Sequence, residues 1–301
     1  MILIQGIILT LNEELHIARC IESIAPICSD ILVLDSGSTD RTRAIASGLG
    51  ARVIENKFLN HAAQLNAAIS LCADFDGWLL RIDADEILDA TAVQKFLRAD
   101  HPQATTNGMM VRRRLHFMGR PMKWGGMDPV WTLRLWRNRH GQCEQRWMDE
   151  HVRVTGEIKA STLIIDDINM NSLHWWTQKH NDYASREAIE ILLHRSNSKL
   201  VDKDSRLQSQ AARKRWIKNN IYTRMPATAR GCLYFLYRYL IRLGFLDGRQ
   251  GFYFHFLQAF WYRTLVEAKC ADIESYIQTH DASLVDAIRL RTGIDVSTSI
   301  R

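Results

Sequence analysis

The sequence predicts an α/β fold built on a parallel, doubly wound sheet and followed by a mainly helical C-terminal region. Three observations carry this prediction. Short apolar runs alternate with helix-period segments between Ile2 and Asp83, and each run ends in a polar turn. Turn-forming Asn, Asp, Ser and Gly cluster after those runs. From Tyr183 onward the spacing of apolar residues is helical.

Ile2–Thr10 is a near-continuous apolar run, as a strand buried on both faces requires. Asn12 is placed to cap a following helix, in which Ile17, Ile21 and Ile24 share a face. Ile31–Leu34 predicts a second buried strand with Asp35-Ser36-Gly37-Ser38 as its exit turn. A helix over Thr39–Gly48, a short strand over Ala51–Ile54 and an Ala-rich helix over His61–Ala73 follow. Trp78–Ile82 is a fourth strand ending in Asp83. Strand–helix–strand units in this order place a ligand site at the strands' carboxyl ends. Beyond about residue 100, Met109–Phe117, Val130–Trp136 and Thr162–Ile165 read as strands. The loop Gly119–Pro129 between two of them carries Trp124, which is suited either to stacking on a sugar or to anchoring the loop.

Hydrophobic residues make up 47% of the 301 and charged residues 24%, which supports a packed core and excludes wholesale disorder. The six cysteines form no C-x-x-C pair and no cluster of zinc spacing, so they read as buried hydrophobes of a reducing compartment. Met1–Thr10 lacks a basic n-region and reads as a strand, not a signal peptide. Gly231–Leu246 is the nearest approach to a membrane span, and Arg238 and Arg242 interrupt it. The net charge of +6 is unevenly spread: from Arg213 to Arg242 there are eight basic residues and no acidic one. Within that interval Leu233, Leu236, Tyr237 and Leu240 form one helical stripe, and Arg230, Tyr234, Arg238 and Arg242 another. Arginines beside an apolar stripe suit an anionic membrane surface. Nucleic-acid binding and a plain solvated helical subdomain compete with that reading.

Chemistry gathers in three motifs. Asp83-Ala84-Asp85 places two carboxylates one residue apart on a turn, where they can share a hard cation with substrate phosphates. Alone, such a triplet is more often a solvated turn or a helix cap. Thr10-Leu11-Asn12-Glu13-Glu14 and Asp35-Ser36-Gly37-Ser38-Thr39-Asp40 follow the first two strands, at the same sheet edge. Taken one at a time, Asn12 and Ser38 are simple helix caps and Asp35 a turn former. Together at one edge they define a candidate nucleotide site.

These motifs, with Phe58–Asn66 between them, resemble the inverting glycosyltransferases of family 2, which have the GT-A fold. The resemblance covers about residues 1–185, and its nearest look is to lipopolysaccharide core enzymes. It implies that Asp35 and Asp83 contact the donor nucleoside, that Thr10, Asn12 and Glu13 line the nucleotide pocket, and that Asp85 binds Mn2+ or Mg2+. His174, beside Trp175 and Trp176, resembles a segment that completes the metal or diphosphate site, although a structural role fits such a histidine equally. The segment Trp147–His151 resembles that of the family's catalytic carboxylate, with Glu150 preferred as base and Asp149 second. Two positions depart from the pattern: Ser36 replaces a common second acid, and Leu65 stands where many relatives carry an arginine.

The expected organisation is a GT-A-like domain over 1–185 and a helical, basic and aromatic region over 186–301. The expected activity is transfer of a sugar from a nucleotide diphosphate donor, a UDP-sugar, to a lipid-linked or lipopolysaccharide-core saccharide. The expected location is peripheral, on the cytoplasmic face of a bacterial inner membrane, with no nucleic-acid partner. Two alternatives are a sugar nucleotidyltransferase, whose glycine-rich phosphate loop Thr10–Glu14 lacks, and a non-enzymatic basic binder, which leaves the three carboxylate motifs without a purpose.

Overall fold

The structure is a computed structural model, and it describes residues 2–99, 102–144, 152–198 and 227–296. The chain divides into two compact units, Met1–Met170 and Asn171–Arg301.

The first unit is organised by one mixed sheet. Strands β1 (Ile4–Thr10), β2 (Asp30–Asp35), β3 (Arg52–Glu55) and β4 (Trp78–Asp83) are those anticipated from the sequence. They pair in parallel in the order β3-β2-β1-β4. The sheet continues through β8 (Val130–Arg137), β6 (Thr106–Phe117), β11 (Glu157–Asp167) and β5 (Glu86–Leu88), with antiparallel pairing at β4-β8, β8-β6 and β11-β5. Helix α4 (Ala90–Ala99) follows β5, the short β7 (Arg120–Pro121) pairs with β6, and β9 (Gly141–Cys143) pairs with β10 (Val152–Val154). This is the α/β, GT-A-like architecture expected: a Rossmann-like half extended by mixed strands.

Alternation along the strands feeds two cores, one on each sheet face. Ile8, Val33 and Leu80 pack with Ile17, Ile21 and Ile24 of α1 (Ile17–Ile24). Their neighbours Ile7, Leu32, Leu34 and Leu79 pack on the other face with Ala62, Leu65 and Ala68 of α3 (His61–Leu71). Helix α3 is set by Asn60, whose side chain accepts from the N–H of Ala63 at 2.7 Å. Helix α2 (Thr42–Gly48) starts three residues later than its expected boundary, because Ser38 to Asp40 are held in the loop by side-chain bonds.

The second unit is helical. Helix α5 (Leu173–Ser198) begins ahead of Tyr183, where the helical reading starts. Helix α6 (Ala227–Leu236) continues into a π-helical turn, Tyr237–Ile241. Helix α7 (Gly248–His255) runs through a second such turn, Phe256–Trp261, into α8 (Tyr262–His280), and α9 (Leu284–Thr292) follows. Ala188, Leu192, Val266, Ile273 and Ile288 form this unit's own core. Among the described residues no helix is long and apolar enough to cross a membrane.

Of the two helical stripes read from the sequence, the apolar one is exposed, while Arg230 and Arg238 of the basic one turn into the unit and Arg242 stays exposed. Leu233 and Leu240 are each 50% exposed. Arg238 is 6% exposed and lies over the rings of Tyr234 and Phe254, and Arg230 pairs with Glu267 at 2.8 Å. Aromatic and acidic partners inside the unit hold these two arginines, so they do not line a membrane face. The basic residues from Arg213 to Arg224 lie outside the described residues.

Candidate functional site

Parallel register sets the site. Thr10 is paired with Asp35 across β1-β2, and Leu9 with Asp83 across β1-β4, so three polar strand ends share one sheet edge. Asp35 is fully buried. It accepts from the N–H groups of Gly37 (3.0 Å) and Ser38 (2.7 Å) and from the hydroxyls of Thr10 (2.9 Å) and Ser38 (2.5 Å). A carboxylate offers about four acceptor positions, so Asp35 is saturated from within the chain. A direct contact with a nucleoside would have to displace one of these donors. Gly37 has φ +94°, a conformation open to glycine at little cost.

The loop after β1 is stitched to the loop after β2. The N–H groups of Asn12, Glu13 and Glu14 donate to Ser38 Oγ (2.8 Å), Thr42 Oγ1 (2.7 Å) and Asp40 Oδ2 (3.1 Å). Asn12 does not cap α1: it sits at φ +57° and its Oδ1 accepts from the N–H of Thr39 at 2.9 Å. Asparagine tolerates that left-handed geometry better than most residues. His16 is buried and joins two further segments. Its Nε2 accepts from the N–H of Met170 at 2.9 Å, which puts the proton on Nδ1, facing Glu13 Oε2 at 2.7 Å.

Asp83-Ala84-Asp85 forms the tight turn between β4 and β5. Asp83 is held by Arg134 Nη2 at 3.0 Å and Arg81 Nη2 at 3.3 Å. Burial alone would raise its carboxyl, but Arg134 and then Arg81 override this and hold it well below the usual carboxylate range. Asp85 is half-buried, and its Oδ2 accepts from Asn169 Nδ2 at 3.0 Å.

Behind this turn lies a charged cluster that the sequence reading missed. Glu86 is completely buried and accepts from Arg134 Nη2 (2.7 Å), Arg113 Nε (2.9 Å) and the N–H of Asp83 (2.9 Å). Asp167 accepts from Arg113 Nη2. Burial pushes the Asp167 carboxyl up to about 6, against the pull of Arg113. Arginines and acids inside otherwise apolar strands were the available signal, since such groups are buried only when paired.

The departures from the family pattern have structural counterparts. Leu65 is 1% exposed in the core under β1, so its position faces away from the strand-end loops. Ser36 Oγ accepts from Gln64 Nε2 at 3.1 Å, tying the β2 loop to α3. His174 is exposed at the start of α5, in the second unit. Trp124 is 42% exposed, on a loop whose Gly125 and Gly126 both have positive φ. Asp149 and Glu150 lie outside the described residues.

Among the described residues no group of three or more His, Cys, Asp or Glu is arranged to hold a metal. Magnesium and manganese that share phosphate and water ligands need only one or two protein carboxylates. Asp85 fits that smaller demand, with one oxygen bonded to a neutral amide. Asp83 fits it less well, since each of its oxygens faces a guanidinium.

Polar strand ends gathered at the carboxyl edge of a parallel sheet lie where open α/β domains bind their ligands. Residues 7–142 match the model of glycosyl transferase family 2. A glycosyltransferase of Rickettsia felis is 47% identical over 85 residues, which are 28% of this chain and 29% of that protein. The lipopolysaccharide core biosynthesis glycosyltransferase LpsC of Rhizobium meliloti is 36% identical over 91 residues, 29% of this chain and 33% of that protein. The chain thus spans about a third or less of the length of these two relatives. Among solved structures, glucosyl-3-phosphoglycerate synthase of Mycobacterium tuberculosis, with Mn2+, UDP and glucosyl-3-phosphoglycerate, is 24% identical. That likeness covers 38% of this chain and 44% of the other, with a TM-score of 0.32.

Proposed function

We propose that this protein transfers a sugar, with inversion, from a nucleotide diphosphate donor, a UDP-sugar, to a lipopolysaccharide-core or lipid-linked saccharide. The observation that carries this reading is the meeting of Thr10, Asp35 and Asp83 at one sheet edge, with Asp85 on the turn beyond. The match to glycosyl transferase family 2 and the likeness to LpsC, a lipopolysaccharide core biosynthesis glycosyltransferase, support the reaction and the acceptor class.

In this reading Thr10, Asn12 and Glu13 line the nucleotide pocket, and Asp83 faces the nucleoside. Asp35 serves the donor through the loop it folds, since its acceptor positions are filled. Asp85, with His174 as a second candidate, holds a Mn2+ or Mg2+ ion, which when bound offsets charge on the leaving diphosphate. An acceptor hydroxyl oxygen bonds to the anomeric carbon while that carbon's bond to the diphosphate oxygen breaks. Glu150, or Asp149 beside it, takes the hydroxyl proton, and the nucleoside diphosphate leaves. The acceptor class places the enzyme against an anionic membrane surface.

A nucleotidyltransferase is disfavoured by one observation. The N–H groups of Asn12, Glu13 and Glu14, which would cradle phosphates in such an enzyme, already donate within the chain.

The test is hydrolysis of a panel of UDP-sugars with manganese, repeated with chelator. Metal-dependent hydrolysis of one or a few members is expected. No hydrolysis, together with no UDP-induced rise in melting temperature, refutes the reading.

A further inference from the structure

We infer that the helical hairpin made by Ala227–Ile241 and Gly248–Trp261 is a lipid-interface anchor, whose apolar tip enters the boundary of an anionic bilayer without crossing it. This deepens the membrane part of the proposed function and rests on it. It moves the contact away from Arg230 and Arg238 to the hairpin's tip, and keeps Leu240 and Arg242 of the stripes read in the sequence.

The arms of the hairpin are joined by their rings: Phe235 lies 6.1 Å from Phe252 and 5.9 Å from Phe256, and Tyr239 lies 5.6 Å from Phe252. The chain reverses through Leu243, at φ +60°, and the short turn Gly244–Asp247. That end presents Leu240, Ile241, Leu243, Phe245 and Leu246, from 38% to 71% exposed. Contiguous apolar exposure of this kind marks an interaction surface rather than chance.

Charge selects the occupant. The only acid from Ala227 to Trp261 is Asp247, and it is buried. Arg230 and Arg238 are held inside the unit. Arg242 and Arg249 are exposed, and neither pairs with an acid among the described residues; each donates to a tyrosine hydroxyl, of Tyr237 and Tyr253 respectively. An apolar tip with two cations and no exposed acid is complementary to acyl chains beneath anionic headgroups. A second copy of the same surface would instead bring arginine against arginine.

Binding of the whole protein to neutral phosphatidylcholine vesicles and to vesicles containing phosphatidylglycerol tests this. Wild type should prefer the anionic vesicles. The triple variant Ile241→Ser, Phe245→Ser, Leu246→Ser should lose binding to them by at least about tenfold, as buried aliphatic side chains are removed from the interface. Arg242→Gln with Arg249→Gln should lose about 30-fold, the change equivalent to ~1 kcal/mol for each basic residue near an anionic surface. Phe245→Trp should show blue-shifted emission, quenched by brominated lipid, which a fold defect would not produce. Unchanged binding by the serine variant, or a Phe245→Trp emission indifferent to vesicles, overturns the anchor. So does a wild type that ignores vesicles but runs as a dimer that the serine variant makes monomeric. UDP-sugar hydrolysis is read on the same samples. Vesicle binding in a wild type that neither hydrolyses a UDP-sugar nor gains melting temperature with UDP supports the anchor while refuting the transferase reading.

Discussion

Glu86 and Asp167 stand directly opposite each other in the β5–β11 pair, and the guanidinium of Arg113 bridges them. Like charges at facing positions destabilise a sheet. Here they are tolerated because Arg113 donates to both, and Arg134 carries Glu86 onward to Asp83. Asp83 is therefore fixed by an ion network that begins at Asp167, three strands away.

Arg113→Met should accordingly destabilise the protein by about 3–5 kcal/mol, the scale for stranding buried charge. Denaturant unfolding reads this directly. Adding Glu86→Gln and Asp167→Asn should restore part of the loss, because the stranded charges are then gone. A single variant within about 1 kcal/mol of wild type would show that the bridge does not stabilise the fold.

The two acids of the D-x-D turn should separate. Asp83 is tied to Arg81 and Arg134, so Asp83→Ala should lower the melting temperature as well as activity. Asp85, bonded to Asn169, should tolerate alanine with little change in melting temperature but lose manganese-dependent hydrolysis. Equal thermal losses in both variants would contradict this division.

For the base, Glu150→Gln should leave UDP-induced stabilisation intact and reduce sugar transfer by about 10²-fold or more. If Asp149→Asn does so instead, the roles of the neighbours are exchanged. Near-normal transfer by both variants would move the base elsewhere.

His255 gives the second unit a pH dependence. It is fully buried, with neither ring nitrogen hydrogen-bonded among the described residues and the Asp247 carboxylate 4.0 Å away. Burial, and then Arg238, push its pKa down from 6.5 to about 4. The unfolded chain therefore takes up the proton first as pH falls. Stability tied to His255 is complete above about 6.5 and is lost as pH drops to about 4, a loss of about 3 kcal/mol. Thermal unfolding at pH 7.5 and 4.5 should show a smaller difference in His255→Leu than in wild type. Parallel pH profiles would contradict the assignment.

The parallel half of the fold was legible because its strands are buried on both faces and bounded by turn residues, as Ile4–Thr10 and Trp78–Asp83 show. Strand β5 was hidden because three residues carry no periodicity, and β11 was read short because its first half, Glu157–Ala160, alternates too weakly. Of the site, the acids at strand ends were visible. The arginines that position them were not, since Arg113 and Arg134 sit far along the chain and only the sheet order brings them to Asp83. Arg230 and Arg238 misled because periodicity finds the two faces of a helix but not which one turns inward. Aromatic rings and Glu267 decide that.

The stitching of the β1 and β2 loops bears on how tightly a donor can be held. Fixing a flexible backbone residue costs roughly 1–2 kcal/mol, and a ligand that orders loops loses that amount from its affinity. Here Ser38, Asp40 and Thr42 already hold Asn12, Glu13 and Glu14. The cost was met when the chain folded, so the incoming nucleotide meets a preorganised rim and keeps more of its contact energy as affinity.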